Sequence, residues 1–179
     1  MDSDLKTKEI LNNLKSLDSE FLIETIEQIR ESGNRQIMEG LVDLLHTTID
    51  LEVRSSILAL LSELKHQESA LLLIEAIKNE KYLNVRKDLI CCCWQNGLNY
   101  IDQVSLFVDL TITESFQTAF EAFTVIEHMY GKSDDLVILQ ECKKIEAAYQ
   151  NATKEKAYLY NELLTILKDI PEKSQFRND

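Results

Sequence analysis

Residues 50–65 read DLEVRSSILALLSELK, and residues 82–97 read YLNVRKDLICCCWQNG. The two stretches superpose at an offset of 32 residues, and the same offset upstream reaches DSEFLIETIEQIRESG at 18–33. Phe21, Val53 and Val85 then coincide, as do Ile29, Leu61 and Cys93. Arg54 falls on Arg86, and Gly33 falls on Gly97. A fourth copy begins near Thr113 with a slightly altered offset, where Phe116, Phe120 and Phe123 take the apolar positions. Self-similarity at a fixed interval of this size marks a chain built from stacked supersecondary units.

Within a copy, Val53, Ile57, Leu60, Leu61 and Leu64 recur at three and four residues, the buried stripe of an amphipathic helix. Gly33, Gly97 and Gly131 each follow such a stripe, where a left-handed C′ residue ends a helix at small steric cost. Second amphipathic stretches come next: NRQIMEGLVDLL from Asn34, QESALLLIEAIK from Gln67, NYIDQVSLFVDL from Asn99 and SDDLVILQECKKI from Ser133. The unit is a helix–turn–helix, and stacking the units supplies the core that one pair cannot build alone.

Repeats are expected near 18–49, 50–81, 82–112 and 113–149. A capping helix precedes them over 4–16 and a last helix follows over 153–169, stopped by Pro171. The expectation is an all-α, right-handed α-solenoid of about ten helices in antiparallel pairs. It forms one domain over 1–170, with a flexible tail over 171–179. Four glycines and one proline offer too little turn chemistry for a sandwich or barrel.

Asp50 and the Val-Arg pairs of DLEVR (50–54) and LNVR (83–86) resemble HEAT/armadillo-type repeats, of the short HEAT-like class. In that family a turn acid and an arginine after an aliphatic residue tie neighbouring copies together, and Asp50, Arg54 and Arg86 match them. Leu22 and Gln117 stand at the arginine position in the outer copies, where the ladder is broken. The interval is shorter than the usual 40–47 of HEAT units. The Trp, Leu-Gly and Tyr positions of tetratricopeptide repeats do not recur. The resemblance spans about residues 18–145 and speaks to fold, since solenoids serve many tasks.

The composition bounds function. The chain has 179 residues with 31 acids against 19 basic residues, a formal charge of −12. Nucleic-acid binding needs clustered Lys and Arg, so no such partner is expected. Eight acids and one base lie between Gly97 and Cys142, either a solvated face or a surface that attracts a basic segment. The beginning, MDSDLKTKEI, has no apolar run and does not read as a signal peptide. No stretch approaches the roughly 20 apolar residues of a membrane span. A cytoplasmic, monomeric protein with reduced cysteines is the expectation.

Cys91, Cys92 and Cys93 stand beside the only tryptophan, Trp94. Successive helical residues point about 100° apart, so these thiols do not converge on one ion. Zinc sites pair ligands from two places, and only Cys142 remains. The register puts Cys91, Cys92 and Cys93 at the positions of Ala59, Leu60 and Leu61, which makes them packing residues. Trp94 aligns with the polar Ser62 and Arg30, and is a candidate contact at the edge of the first-helix layer.

None of the three histidines is followed by Glu, so the paired His-Glu steps of metal-holding HEAT-like proteins are missing. No phosphate-cradling or nucleophile-elbow motif occurs. No catalytic residue, metal or cofactor is assigned. Among HEAT-like enzymes, DNA-alkylation glycosylases need a basic concave face, whereas a bilin lyase-like activity remains an alternative reading, as does a structural subunit of a larger assembly. The favoured expectation is a non-catalytic interaction or scaffold module that binds a protein partner through its second helices. Glu39, Asp43, Glu75, Asp102, Asp109, Asp135 and Gln140 are the candidate contacts to a basic or amphipathic segment.

Overall fold

The computed structural model describes residues 2–29, 34–131 and 133–170. They form ten α-helices: α1 (Asp2–Asn13), α2 (Ser19–Ile29), α3 (Arg35–Thr47), α4 (Leu51–Ser62), α5 (Glu68–Lys78), α6 (Arg86–Asn96), α7 (Val104–Thr113), α8 (Phe116–Glu127), α9 (Asp135–Tyr149) and α10 (Lys154–Asp169). Short 3-10 turns at Glu80–Tyr82 and Ile101–Gln103 lead into α6 and α7, and the described residues contain no strand. The predicted stops at Gly33 and Pro171 and the tail 171–179 lie outside the described residues, as does Arg30.

Helix starts follow from side chains that accept the orphan N–H groups of a first turn. The carboxylate of Asp18 accepts from the Phe21 amide, and Asp50 from the amides of Glu52 and Val53. Asn34, Asp134 and Thr153 do the same for α3, α9 and α10. Gly97 follows α6 at φ 66°, the left-handed conformation expected of a C′ glycine. Gly131 also has positive φ, at 101°, three residues beyond the C-cap of α8 rather than at C′.

The chain divides into two compact units, 1–96 and 97–179, with α6 in the first and α7 in the second, so the stretch 82–112 read as one repeat is divided between them. In the first unit α2, α4 and α6 pack side by side, and α1, α3 and α5 form a second row. The helix pairs are stacked with their apolar stripes inward. Val53, Ile57, Leu61, Val85, Leu89 and Ile90 are wholly buried.

Two arginines repeat one local contact in this unit. Arg54 donates to the Leu45 carbonyl at 3.3 Å and Arg86 to the Ile77 carbonyl at 3.0 Å, positions again 32 apart. Arg54 also pairs with Asp88 on α6, while Ser19 of α2 donates to Asp50 at 2.5 Å. Asp50 and Arg54 therefore link α4 to α2, α3 and α6.

In the second unit α7 packs on α8 and α9, and α10 on α8 and α9. Lys156 donates to the Ile112 carbonyl at 2.6 Å, fixing α10 to the end of α7. Two sequence expectations need correction. Phe116 and Phe120 are exposed, because α8 buries Ala119, Ala122, Phe123 and Ile126 instead. Phe21 is likewise exposed although Val53 and Val85 are not. α4, which carries Val53, packs between α2 and α6, whereas α2 packs on α4 and α1.

Candidate functional site

Arg35, Glu39 and Asp43 recur every four residues on α3 and so lie along one face of it. The neighbouring α5 presents Glu75, and the turn before α6 brings up Lys81 and Tyr82. Between them lies a cleft of about 230 Å³ floored by Met38, Val42, Leu73 and Ala76, with Glu39, Asp43, Glu75 and Tyr82 at its rim. Three of the predicted contacts, Glu39, Asp43 and Glu75, thus meet at one place.

Each of those carboxylates already has a cation from the chain itself. The Arg35 guanidinium lies 3.0 Å from Glu39 and 2.5 Å from Glu75, and is raised above its ordinary pKa chiefly by the Glu39 hydrogen bond. All three side chains are more than half exposed. At the other end Asp43 pairs with Lys81 and accepts from the Tyr82 hydroxyl at 2.5 Å. Burial pushes the Asp43 carboxyl up, but the Lys81 and Tyr82 hydrogen bonds outweigh it and hold the group below its ordinary value. The same contacts raise Lys81, through Asp43 first. Tyr82 is raised by burial and then by the adjacent carboxylate.

His46 completes this end of the cleft. Its ring meets Tyr82 edge-on at 5.7 Å between centroids, and its Nδ1 is 2.6 Å from the Asn84 side-chain oxygen. The Asn84 amide in turn donates to the His46 carbonyl at 3.0 Å. Tyr82 is therefore locked from two sides, which makes this rim a fixed surface rather than a loose charge cluster. Tyr82 and Lys81 were not among the sequence candidates. An aromatic in a turn carries no periodicity, so its role was visible only once α3 was in place beside it.

The cysteines behave as the register predicts. Cys92 and Cys93 are buried and Cys91 is half-buried, matching Leu60, Leu61 and the exposed Ala59. Cys93 donates to the Leu89 carbonyl at 3.3 Å, and burial drives the Cys92 thiol up to about 11. None of the four cysteines is in a disulfide. A shallow groove between α4 and α6 exposes Cys91 beside Ser62 and Gln95, whose side chains hydrogen-bond at 2.6 Å. Trp94 is half-buried on α6, as its alignment with Ser62 suggests.

The remaining candidates lie in the second unit. Asp102 is exposed in the 3-10 turn before α7, Asp109 is on α7, and Asp135 and Gln140 are exposed on α9. Asp109 is engaged by Lys144 of α9 at 2.9 Å. The same ammonium lies 3.0 Å from Glu141, whose side chain is only 3% exposed. No oriented hydrogen bond reaches that Glu141 oxygen, so Lys144 supplies its compensation. Burial alone would lower Lys144, yet the two carboxylates hold it above its ordinary value.

Glu141 was legible in principle. It sits with Ile138, Cys142 and Ile145 on the core stripe of α9, where a charge demands a partner.

Chemically, the cleft offers carboxylates and one phenol over an apolar floor, with Arg35 and Lys81 of the chain itself on those carboxylates. At about 230 Å³ it is smaller than the roughly 300–1,000 Å³ of pockets that enclose small molecules. Among the described residues no three His, Cys, Asp or Glu side chains gather as metal ligands, and no helix is long and apolar enough to cross a membrane. No protein-family model matches the chain, and no curated protein sequence matches it either.

Proposed function

We propose that this protein is a small HEAT-like α-solenoid that acts as a non-catalytic protein-interaction module. Its second helices bind a partner through a basic or amphipathic segment. The observation that carries the reading is the cleft between α3 and α5, where three carboxylates rim an apolar floor. Repeated arginine contacts to Leu45 and Ile77 support the solenoid arrangement, because they give successive helix pairs one common joint. The formal charge of −12 favours a basic partner, and such attraction speeds encounter and sets specificity more than it adds affinity.

The test is recovery of a tagged copy from lysate of its own source at low and at high salt, followed by Asp43→Lys and Asp109→Lys variants. A protein retained at low salt, lost at high salt and weakened by either reversal supports the reading. Because Asp43 and Asp109 hold Lys81 and Lys144, each variant is first checked for an unchanged helical spectrum. A partner unaffected by both reversals refutes the second-helix surface. Recovery of a tightly retained small molecule and no protein would replace the reading with the enzyme alternative.

A further inference from the structure

Resting on the reading above, we infer that the α3–α5 cleft is an anchoring pocket for one arginine side chain of the partner. The cleft's floor, Met38, Val42, Leu73 and Ala76, is hydrocarbon, yet its rim is acidic. That combination matches a side chain whose apolar stem ends in a cation, because such residues bury the stem and leave the head among polar groups. The volume decides between occupants. About 230 Å³ admits one long side chain, not the apolar face of a helix or a drug-sized molecule.

Charge complementarity points the same way. The three rim carboxylates share two cations in these ion pairs, because Arg35 serves both Glu39 and Glu75 while Lys81 serves Asp43. The two cations are not equivalent. Lys81 is held by Asp43 and lies 5.0 Å over the Tyr82 ring, within a network that also fixes His46 and Asn84. Arg35 instead spans Glu39 and Glu75 from a side chain 60% exposed, and exposed pairs of this kind are weak. An incoming guanidinium takes the place of Arg35 between those two carboxylates, in the forked geometry that suits arginine better than lysine. Arg35 is then a competitor built into the chain, and Glu39 and Glu75 are the recognition groups.

The experiment is an amide-resolved NMR titration of the full chain with a synthetic amphipathic peptide carrying one central arginine. The same peptide with citrulline, neutral and of the same shape, serves as the comparison. The arginine peptide is expected to shift the amides of Val42, Leu73 and Ala76, and citrulline to weaken binding at least about fivefold. Arg35→Gln should tighten the arginine peptide by about two- to fivefold, the worth of one exposed ion pair. Glu39→Gln with Glu75→Gln should loosen it by a similar factor or more.

A merely structural role for Arg35 predicts no tightening in Arg35→Gln. Equal binding of the arginine and citrulline peptides, or shifts confined to residues outside the cleft, overturns the inference. The two levels separate cleanly. A lysate partner that survives Glu39→Gln and Glu75→Gln but is lost on Asp109→Lys removes the pocket and keeps the interaction module. The absence of any retained protein removes the module itself.

Discussion

Replacing Arg54 by methionine tests the joint between repeats most directly. The methionine keeps much of the apolar stem and removes the guanidinium, so the change isolates two polar contacts. One is the ion pair with Asp88, whose partners are only 27% and 25% exposed. A charge-assisted hydrogen bond is worth about 1.5–3 kcal/mol when shielded, and about 1 kcal/mol is reasonable after discounting for this exposure. The other is the bond to the Leu45 carbonyl near the end of α3, a neutral acceptor worth about 1 kcal/mol.

The sum is about 2 kcal/mol. For a chain of this length it lowers the thermal midpoint by about 4–8 °C. Urea unfolding followed by circular dichroism, with Arg54→Met, Asp88→Asn and the double variant, measures both the total and the coupling. The coupling should be about 1 kcal/mol. A loss for Arg54→Met under about 0.5 kcal/mol, or strictly additive single effects, would refute the view that this arginine ties the copies together.

The same geometry fixes further outcomes. Lys144→Met strips the compensating charge from buried Glu141 and should cost about 2–3 kcal/mol, less than the 3–5 of a fully buried pair because Lys144 is 43% exposed. Adding Glu141→Leu should recover most of that loss in the same urea assay. Cys91 should be alkylated first in the native protein. Cys92, with its thiol at about 11, is only about one part in a thousand ionised at pH 8 and should react on unfolding. Because its folded value lies above the unfolded one, stability should fall as pH rises from about 9 towards 11, and Cys92→Ala should flatten that slope.

Asp43 titrates below its ordinary 3.8, so its contacts persist at neutral pH and weaken only as pH falls through the lowered value. The Tyr82 ring signals in NMR should report that midpoint. Finally, a Cβ on Gly40 would stand 2.9 Å from the Leu11 side chain, a flexible neighbour. Gly40→Ala should therefore change stability by less than about 1 kcal/mol. Gly40→Val should cost about 1–3 kcal/mol and raise amide exchange in α1 selectively.

Much of the architecture could be read from the chain because helices announce themselves locally. The three-and-four spacing of Val53, Ile57, Leu60, Leu61 and Leu64 predicted a helix, and the structure buries the first four, while Leu64 lies beyond the end of α4 and is half-buried. Asn34, Asp50, Asp134 and Thr153 stand where caps are needed, so boundaries were accessible too. Where a residue depends on which neighbours exist, local pattern fails. Phe21 occupies the position of Val53 but stays exposed, and α8 buries the small Ala119 and Ala122 where Phe116 and Phe120 are exposed.

The surface was half legible for a similar reason. Glu39, Asp43 and Glu75 follow from the helix register, yet their partners Arg35, Lys81 and Tyr82 depend on how α3, α5 and a 3-10 turn meet. No spacing in the sequence encodes that meeting. Of the candidate acids, Glu39 and Glu75 share Arg35, Asp43 holds Lys81 and Asp109 holds Lys144.

The arginine joints also bear on how the first unit comes together in time. The bonds from Arg54 to Leu45 and from Arg86 to Ile77 each span nine residues, and the pair with Asp88 spans 34. Contacts this short in sequence demand little loop closure before they begin to reward the chain. Each of these two joints links helices that follow one another in the chain. A chain that reaches the end of α4 contains both partners of the Arg54–Leu45 joint, whereas the Arg54–Asp88 pair waits for α6.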